Sequence, residues 1–198
     1  MQTLIVARHG ESEYSARGLL NGDPAVEVGL TEAGEEQARA LGRALRETEI
    51  DLCVVTELGR TRRTAELALA GRDVPFETRP ELNDPRSGVF EGGSLAEYRG
   101  WAWAAGSAEH APGGGESRLE LVARYARAYR ALLAYPQGTL LAVLHALPIA
   151  YLLGAIDNQA PAARMDRPVE YAWAYVVDGD QLRAAVELLE AWHALPTW

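Results

Sequence analysis

Residues 139–148 read TLLAVLHALP, and this stretch decides the fold that the sequence predicts. The run TLLAVL is apolar without alternation, which is typical of a central parallel strand covered on both faces. His145 ends that strand, and Pro148 suits the first turn of a following helix over PIAYLLGAI. The stretch therefore indicates an α/β fold in which a buried strand carries a titratable side chain at its carboxyl end.

Short apolar runs elsewhere alternate with segments of helical period, which is the pattern of a mostly parallel sheet wound with helices. Strands are predicted at about Thr3–Ala7, over DLCVVT (51–56), within PFETRPEL (75–82) and over 139–144. We therefore expect a three-layer α/β/α architecture with helices on both faces of the central sheet.

Helices are predicted between these strands. The segment LTEAGEEQARALGRALRE (30–47) has Thr31 as its N-cap, acidic residues in its first turn and arginines later, as the helix dipole favours. Its inner stripe is expected to be Ala38, Leu41 and Leu45. Two more helices are predicted over the later part of 57–70 and over 117–134. The last has apolar residues at steps of three and four, namely Leu119, Val122, Ala126, Tyr129 and Leu133.

Two segments lack this clear alternation. Residues 85–115 combine glycines with aromatic residues and have no firm periodicity, so we expect a lid or cap with one short helix there. Its Tyr98, Trp101 and Trp103 are expected to pack the cap onto the domain. Residues 171–189 are expected to form two strands joined by a turn at 178–180.

Composition limits the classes of protein that the chain can be. It has 198 residues, a net charge of −9 and a single cysteine, Cys53. The length suits one domain over residues 1–198 with a core that needs no disulfide. The acidic balance disfavours nucleic acid and membrane surfaces as partners. With one cysteine and no long apolar run or secretory leader, we expect a soluble cytoplasmic protein.

Charged and titratable side chains follow the ends of the predicted strands. Arg8 and His9 follow the first strand, and Arg60 lies just after the second. Asp84 follows the third, and His145 closes the central one. In open α/β sheets, ligands bind in the crevice beyond the carboxyl ends of the strands. Each residue alone could be solvated or structural, but together they predict a locally positive site for a small anion at one edge of the sheet.

Six segments resemble, in order and with sensible spacing, the signatures of one family. They are ARHGES, LTEAGEEQARALG, TELGRTRRTA, ELNDPRSGVFEG, GGGES and AVLHALPIAYLL. The resemblance is to the histidine phosphatase superfamily, in the branch that also contains cofactor-dependent phosphoglycerate mutase. It covers most of the chain, and it implies a phosphoglycerate mutase-like fold with an aromatic-containing cap over 85–115.

The resemblance also implies a role for each residue at the sheet edge. His9 attacks a phosphoryl group and forms a phosphohistidine, which water then hydrolyses. Arg8 and Arg60 hold the phosphoryl oxygens with planar forks, and His145 supplies a further donor. Asp84, where the family usually has Glu, is the expected general acid that protonates the leaving oxygen.

Four neighbouring positions carry further expectations. Glu81 is the alternative general acid, because Asp84 is one methylene shorter than the usual Glu. Ser15 stands where mutase-like members carry Asn, and its hydroxyl could bind phosphate. Ala146 stands where relatives commonly have Gly, and its backbone N–H should stay available to the ligand. Gly10 is expected to permit a close turn toward the ligand.

The expected function is hydrolysis of a small phosphorylated substrate, without a cofactor and without a metal, since paired metal-ligand motifs are missing. One alternative is a cofactor-dependent phosphoglycerate mutase, which must keep water from the phosphohistidine. Another is a non-catalytic module that binds phospho-ligands on the same scaffold. The short chain favours hydrolysis, because mutases of the family carry longer insertions. We expect a monomer or a homodimer.

Overall fold

The computed structural model describes residues 1–136, 138–164 and 167–198, and its centre is a five-stranded sheet. The strands lie in the order β3-β2-β4-β1-β5. The first four are parallel, whereas β5 is antiparallel to β1 at one edge. Their bounds are β1 Thr3–Arg8, β2 Leu52–Val55, β3 Phe76–Thr78, β4 Thr139–Leu144 and β5 Ala174–Asp178.

Helices cover both faces of this sheet, which gives the three layers that the sequence predicts. Their bounds are α1 Glu13–Ala16, α2 Glu32–Ala44, α3 Gly59–Ala68, α4 Leu95–Ala104, α5 Arg118–Leu133, α6 Ala146–Ile156 and α7 Gly179–Ala194. Helices α5, α6 and α7 bury one face of the strands, and α2 and α3 bury the other. Both faces of β1 and β4 are therefore covered, which explains their continuous apolar runs. None of the helices in the described ranges combines the length and the apolar character needed to cross a membrane.

The register of the two central strands fixes the geometry of the sheet edge. β1 and β4 pair in parallel with Arg8 opposite Leu144, and the backbone N–H of His9 donates to the carbonyl of Leu144 at 2.9 Å. The residues that follow the two strands, His9 and His145, are consequently neighbours, with ring centroids 5.3 Å apart.

The helix predicted over 30–47 is confirmed as α2. Thr31 is its N-cap, and the Thr31 hydroxyl accepts a hydrogen bond from the N–H of Gly34 at 3.0 Å. The predicted inner stripe of Ala38, Leu41 and Leu45 is buried. Leu41 and Leu45 belong to the apolar cluster on this face of the sheet.

The helix predicted over 117–134 is confirmed as α5, with a small change in its buried face. Ser117 caps it through a reciprocal capping box with Glu120. Leu119 and Leu133 are only partly buried, because the helix turns a different stripe toward the core. The apolar residues that α5 buries fully or nearly so are Leu121, Val122, Tyr125, Ala126, Ala128, Tyr129 and Leu132.

The two strands predicted over 171–189 are a correction. The first is β5, but residues 179–194 form α7. Asp178 is the N-cap of this helix, its carboxylate accepting from the N–H of Gln181 at 2.8 Å while the Gln181 side chain accepts from the N–H of Asp178 at 3.0 Å. A helix forms because the apolar residues recur at helical spacing and reach the core, namely Leu182, Ala185, Val186, Leu189 and Trp192.

The segment 85–115 contains the predicted helix as α4, preceded by a short 3₁₀ turn at Gly88–Phe90. Phe90, Tyr98 and Trp101 form an aromatic cluster with centroid separations of 5.7 Å. These ring contacts lie within the cap, and Leu20 is the residue from outside the cap that packs against the same cluster. Trp103 differs, since it is 40% exposed and lines a cavity instead.

Candidate active site

A cavity of about 460 Å³ lies beyond the carboxyl ends of the parallel strands, with residues of α4 on its outer side. Four of the five residues expected at the sheet edge line it, namely Arg8, His9, Arg60 and Asp84. The fifth, His145, is fully buried just behind them and contacts Arg60 and Asp84. The structure thus brings together side chains from four segments distant in sequence.

His9 is held in one orientation by contacts to both ring nitrogens. Its Nδ1 lies 2.7 Å from the carbonyl oxygen of Gly10, so this nitrogen carries the proton and donates it. Its Nε2 accepts from the Nε–H of Arg60 at 3.1 Å. The hydrogen-bond network therefore assigns a neutral tautomer with the lone pair on Nε2, and Nε2 is the atom able to act as a nucleophile.

Burial and nearby cations keep both imidazoles neutral. Burial is the main cause that lowers the pKa of His9 well below its ordinary 6.5, and the charge of Arg60 adds to it. The pKa of His145 is also well below 6.5, again because of burial first and then the charges of Arg60 and Arg8. At neutral pH Nε2 of His9 consequently carries a lone pair and no proton.

Arg60, the second residue of α3, is a buried cation that organises the site. Its Nη1 donates to Oδ1 of Asn21 at 2.6 Å, and its Nη2 donates to the carbonyl of Asn21 at 2.9 Å. Nη2 also pairs with Oδ2 of Asp84 at 2.8 Å. Asn21 is a residue that the sequence analysis missed. The sequence feature that could have indicated it is a polar side chain in a glycine-containing loop, between the end of a strand and the start of a helix.

Arg8 is positioned by different contacts. Its Nη1 donates to the carbonyl of Val169 at 3.0 Å, and its guanidinium carbon lies 3.7 Å from the ring centroid of Tyr171. This is a close cation–π contact. Arg8 makes no ion pair within the described part of the chain, so its charge is left for a ligand. Tyr171 was also missed, because the sequence predicts it as the start of a strand, whereas β5 begins only at Ala174 and Tyr171 lies beside Arg8.

His145 presents its Nδ1 to the site. Its Nε2 lies 2.9 Å from Oγ1 of Thr56, and Thr56 is itself hydrogen-bonded to Thr61. Nδ1 lies 3.3 Å from Nη2 of Arg60 and 3.3 Å from Oδ2 of Asp84. The threonine pair fixes the ring from behind, which leaves Nδ1 to face the polar groups at the strand ends.

Of the two candidate general acids, Asp84 lies at the site. Its carboxylate contacts Arg60 and His145 at the distances given above and lines the cavity. Glu81 is exposed in the 3₁₀ turn Pro80–Leu82, and it does not line the cavity. Arg124 donates to the backbone carbonyls of Glu81 and Asn83 and so holds this loop in place.

Ser15 and Ala146 both line the cavity. The Ser15 hydroxyl lies 2.6 Å from that of Ser12, at the start of α1. Ala146 is the first residue of α6, and a helix leaves the N–H groups of its first turn without a partner inside the helix. Both positions are therefore placed where a polar ligand group could contact them.

Gly10 has a different role from the one expected. Its backbone does not adopt a left-handed conformation, and a Cβ atom there would lie 2.3 Å from the carbonyl oxygen of Gly34 in α2. Glycine is needed because the loop after β1 packs directly on the backbone of this helix. That contact fixes the position of His9, the preceding residue.

The charge around the histidines favours an anion over a metal cation. One donor atom each from His9, Asp84 and His145 lies within 4.8 Å of the others, a grouping that could in geometry hold a metal ion. The Arg60 guanidinium, however, already contacts all three residues. With Arg8 nearby as a second cation, a divalent cation would be repelled and a phosphate attracted.

The fold is that of a phosphoglycerate mutase-like α/β protein. A sequence profile of the histidine phosphatase superfamily (branch 1) matches residues 4–191, and the chain belongs to this superfamily. Relatives of the chain are named as phosphatases or as phosphoglycerate mutases, which supports a phosphatase- or mutase-type activity.

Individual relatives divide between the two activities. An adenosylcobalamin/α-ribazole phosphatase of Salmonella typhimurium is 43% identical over 88 residues, which is 44% of this chain and 43% of that protein. The chain thus matches less than half the length of that relative. A protein of Erwinia tasmaniensis named probable phosphoglycerate mutase is 31% identical over 163 residues, 79% of this chain and 75% of that protein. The crystal structure of the α-ribazole phosphatase from Shigella flexneri matches with a TM-score of 0.74 and 29% identity, over 89% of this chain and 90% of that chain.

Proposed function

We propose that this protein is a phosphomonoester hydrolase that works through a phosphohistidine on Nε2 of His9. The observation that carries the proposal is the orientation of the His9 ring. Its Nδ1–H is committed to the carbonyl of Gly10, and its neutral Nε2 lies among the arginines. A neutral imidazole whose Nε2 carries a lone pair, held beside cations that attract a phosphate, is suited to attack phosphorus in line once the phosphate takes over the hydrogen bond that Arg60 makes to Nε2.

The first chemical step forms the Nε2–phosphorus bond and breaks the bond from phosphorus to the ester oxygen. Phosphoryl transfer leaves charge on the three equatorial oxygens, so catalysis depends on positioning and on cations that bind those oxygens. Arg8 and Arg60 supply the cations, with Nδ1 of His145 and the N–H of Ala146 close by. The Ser15 hydroxyl is a further candidate contact to the phosphate.

Asp84 is the proposed general acid and base. Its carboxyl group protonates the leaving oxygen in the first step, and the carboxylate then takes a proton from the water that attacks the phosphohistidine. In that second step the new oxygen–phosphorus bond forms, the Nε2–phosphorus bond breaks and inorganic phosphate leaves. The proposal rests on the contacts of Asp84 with Arg60 and His145 at 2.8 and 3.3 Å.

The proposed reaction uses no metal ion, because the two arginines supply the positive charge that a metal would otherwise provide. The substrate is a small phosphorylated metabolite. The α-ribazole phosphatases among the relatives make α-ribazole phosphate one candidate. The protein acts as one domain in the cytoplasm, as a monomer or a homodimer.

Two other functions use the same residues. A phosphoglycerate mutase would return the phosphoryl group to a bound product, and the mutase name of one relative favours it as the second candidate. A phospho-ligand binding module would use the arginines without turnover. The presence of both histidines at the site favours catalysis over simple binding.

The test is phosphate release from a panel of phosphomonoesters in the presence of EDTA. The panel includes 3-phosphoglycerate together with its bisphosphate activator, so that isomerisation is measured in the same samples. We expect hydrolysis that EDTA does not reduce and that His9→Ala abolishes. The matched control is His193→Ala, which removes an exposed histidine on α7. Isomerisation faster than phosphate release would establish a mutase instead, and binding without either reaction would establish a binding module.

A further inference from the structure

The cavity carries more positive charge than one phosphoryl group requires. Among the residues that the structure describes, six arginines and a single carboxylate, Asp84, line it, although the chain as a whole has a net charge of −9. Arg60 is paired with Asp84, and Arg167 is paired with Asp157 outside the cavity lining. Arg8 lies beside His9 and serves the phosphoryl group. Arg99 and Arg164 line the cavity from exposed positions. The cationic group left over in the buried wall is Arg118.

Arg118 is a buried cation that has no anionic partner among the residues that the structure describes. The residue is 7% exposed at the start of α5, and its Nη1 donates to the hydroxyl of Tyr151 at 2.8 Å. Its Nε is buried and has no hydrogen-bond partner, and no carboxylate in the described ranges forms an ion pair with it. A buried charge of this kind is costly unless an anion compensates it.

Tyr98, next to Arg118, also has a buried polar group with no hydrogen-bond partner among the described residues. Its ring is 5% exposed within the aromatic cluster of the cap, but its hydroxyl is buried without a hydrogen-bond partner. Burial raises the pKa of Tyr98 to about 12, so the hydroxyl is a neutral donor at neutral pH. Tyr98 and Arg118 interact electrostatically, and both line the cavity that contains His9. Native proteins seldom leave buried polar groups unsatisfied, so two of them in one wall indicate a ligand group.

We propose that the cavity takes phosphomonoesters that carry a second anionic group, a carboxylate or another phosphate, and that Arg118 and Tyr98 bind this group. The inference rests on the proposed function, since it assigns the substrate class of the same site. The phosphoryl group lies at His9, and the second anion lies at the wall formed by α4 and the start of α5. Phosphoesters with a neutral distal part are then poorer ligands.

The experiment compares substrates that differ only in the second anion. One pair is 3-phosphoglycerate and glycerol 3-phosphate, in which a carboxylate replaces a hydroxymethyl group. The other, for a longer spacing, is fructose 1,6-bisphosphate and fructose 6-phosphate. Values of kcat/KM are measured for the wild type, and dissociation constants are measured by calorimetry in His9→Ala, which does not turn over. The binding measurement tests the anion site even where phosphate release fails.

The key variants are Arg118→Met and Tyr98→Phe. Charge-assisted hydrogen bonds contribute about 1.5–3 kcal/mol, so Arg118→Met should reduce the preference for the doubly anionic member of at least one pair by about tenfold or more. Tyr98→Phe removes a hydroxyl that has no hydrogen-bond partner in the described part of the chain. It should therefore keep or raise the melting temperature while lowering the same preference about two- to tenfold. Arg127→Met is the matched control, because Arg127 is an exposed arginine on the same helix.

The outcomes separate the two proposals. A preference in either pair that falls in Arg118→Met and Tyr98→Phe but not in Arg127→Met supports the second anion site. An equal preference in the wild type and both cavity variants overturns it, whether measured by turnover or by binding. Phosphate release without any effect of Arg118 or Tyr98 would leave the hydrolase in place and remove the second anion site. Anion-dependent binding without phosphate release would support the second anion site and remove the hydrolase.

Discussion

Lowering the pH from about 7.5 to about 5.5 should weaken the fold through the two buried imidazoles. In the unfolded chain each histidine has its ordinary pKa near 6.5 and is protonated at the lower pH, whereas in the folded protein burial and the arginines hold His9 and His145 neutral. The unfolded state then binds more protons than the native state. Stability therefore falls as the pH falls below 6.5, and it is fully present above that value.

The size of this effect follows from the number of groups. Each histidine that stays neutral in the folded state contributes about 1.36 kcal/mol per pH unit below its unfolded pKa. Two such groups taken one unit below it give a loss of about 2.7 kcal/mol. That is a large part of the roughly 5–15 kcal/mol that stabilises a typical domain. Bound phosphate would obscure the effect, so the buffers must contain no phosphate or sulfate.

The assay is urea denaturation followed by circular dichroism at both pH values. The wild type is compared with the double variant His9→Gln, His145→Gln. His110 and His193 and the carboxylates are present in both proteins, so their contributions cancel in the difference. We expect the wild type to lose about 2.7 kcal/mol more than the double variant, and each single variant to remove about half of that excess. Equal losses in all four proteins would refute the claim that the fold holds these imidazoles neutral.

Three substitutions test other parts of the site. Asp84→Asn should slow the hydrolysis of alkyl phosphates by about a hundredfold or more. It should slow the hydrolysis of 4-nitrophenyl phosphate far less, because the nitrophenolate leaving group needs little protonation. Equal losses of activity on the two substrates in steady-state assays would count against Asp84 as the acid. Arg60→Lys should lower kcat/KM by about 10²–10³, because an ammonium group cannot replace a planar fork that contacts several partners at once; near wild-type kinetics would contradict this. Gly10→Ala should destabilise the protein by about 1–3 kcal/mol in thermal melts, because its Cβ would lie 2.3 Å from the Gly34 carbonyl oxygen. The control Gly100→Ala should not destabilise it, since a Cβ there has nothing within 4 Å. Equal melting temperatures of both variants would refute the packing argument.

The sequence was most informative where a strand end coincides with a chemical group. Arg8, His9 and His145 could be placed together because parallel strands end at the same edge of a sheet, whatever their loops do. Asn21 and Tyr171 could not be placed in this way. They reach the site through loops whose path depends on packing, and loops have no periodicity from which a position can be read.

The error at the C-terminus has a related physical cause. The Asp178–Asp180 stretch has the composition of a hairpin turn, but the same residue types also cap helices. The apolar spacing from Leu182 to Trp192 has a helical period, and that longer pattern decides the structure. A turn signal of three residues is therefore weaker evidence than a helical periodicity that extends over three turns.

The central claim is that the phosphoryl group passes through Nε2 of His9. In the most direct test, the protein is mixed with a phosphomonoester and denatured in alkali within the first turnover. Alkali is used because phosphohistidine is labile in acid. The phosphoryl group is then located by mass spectrometry of peptides. We expect one phosphoryl group on His9 in the wild type, more of it in Asp84→Asn with 4-nitrophenyl phosphate, and none in His9→Ala. Phosphate release with no protein-bound phosphoryl group, or with the group on another residue, would contradict the account.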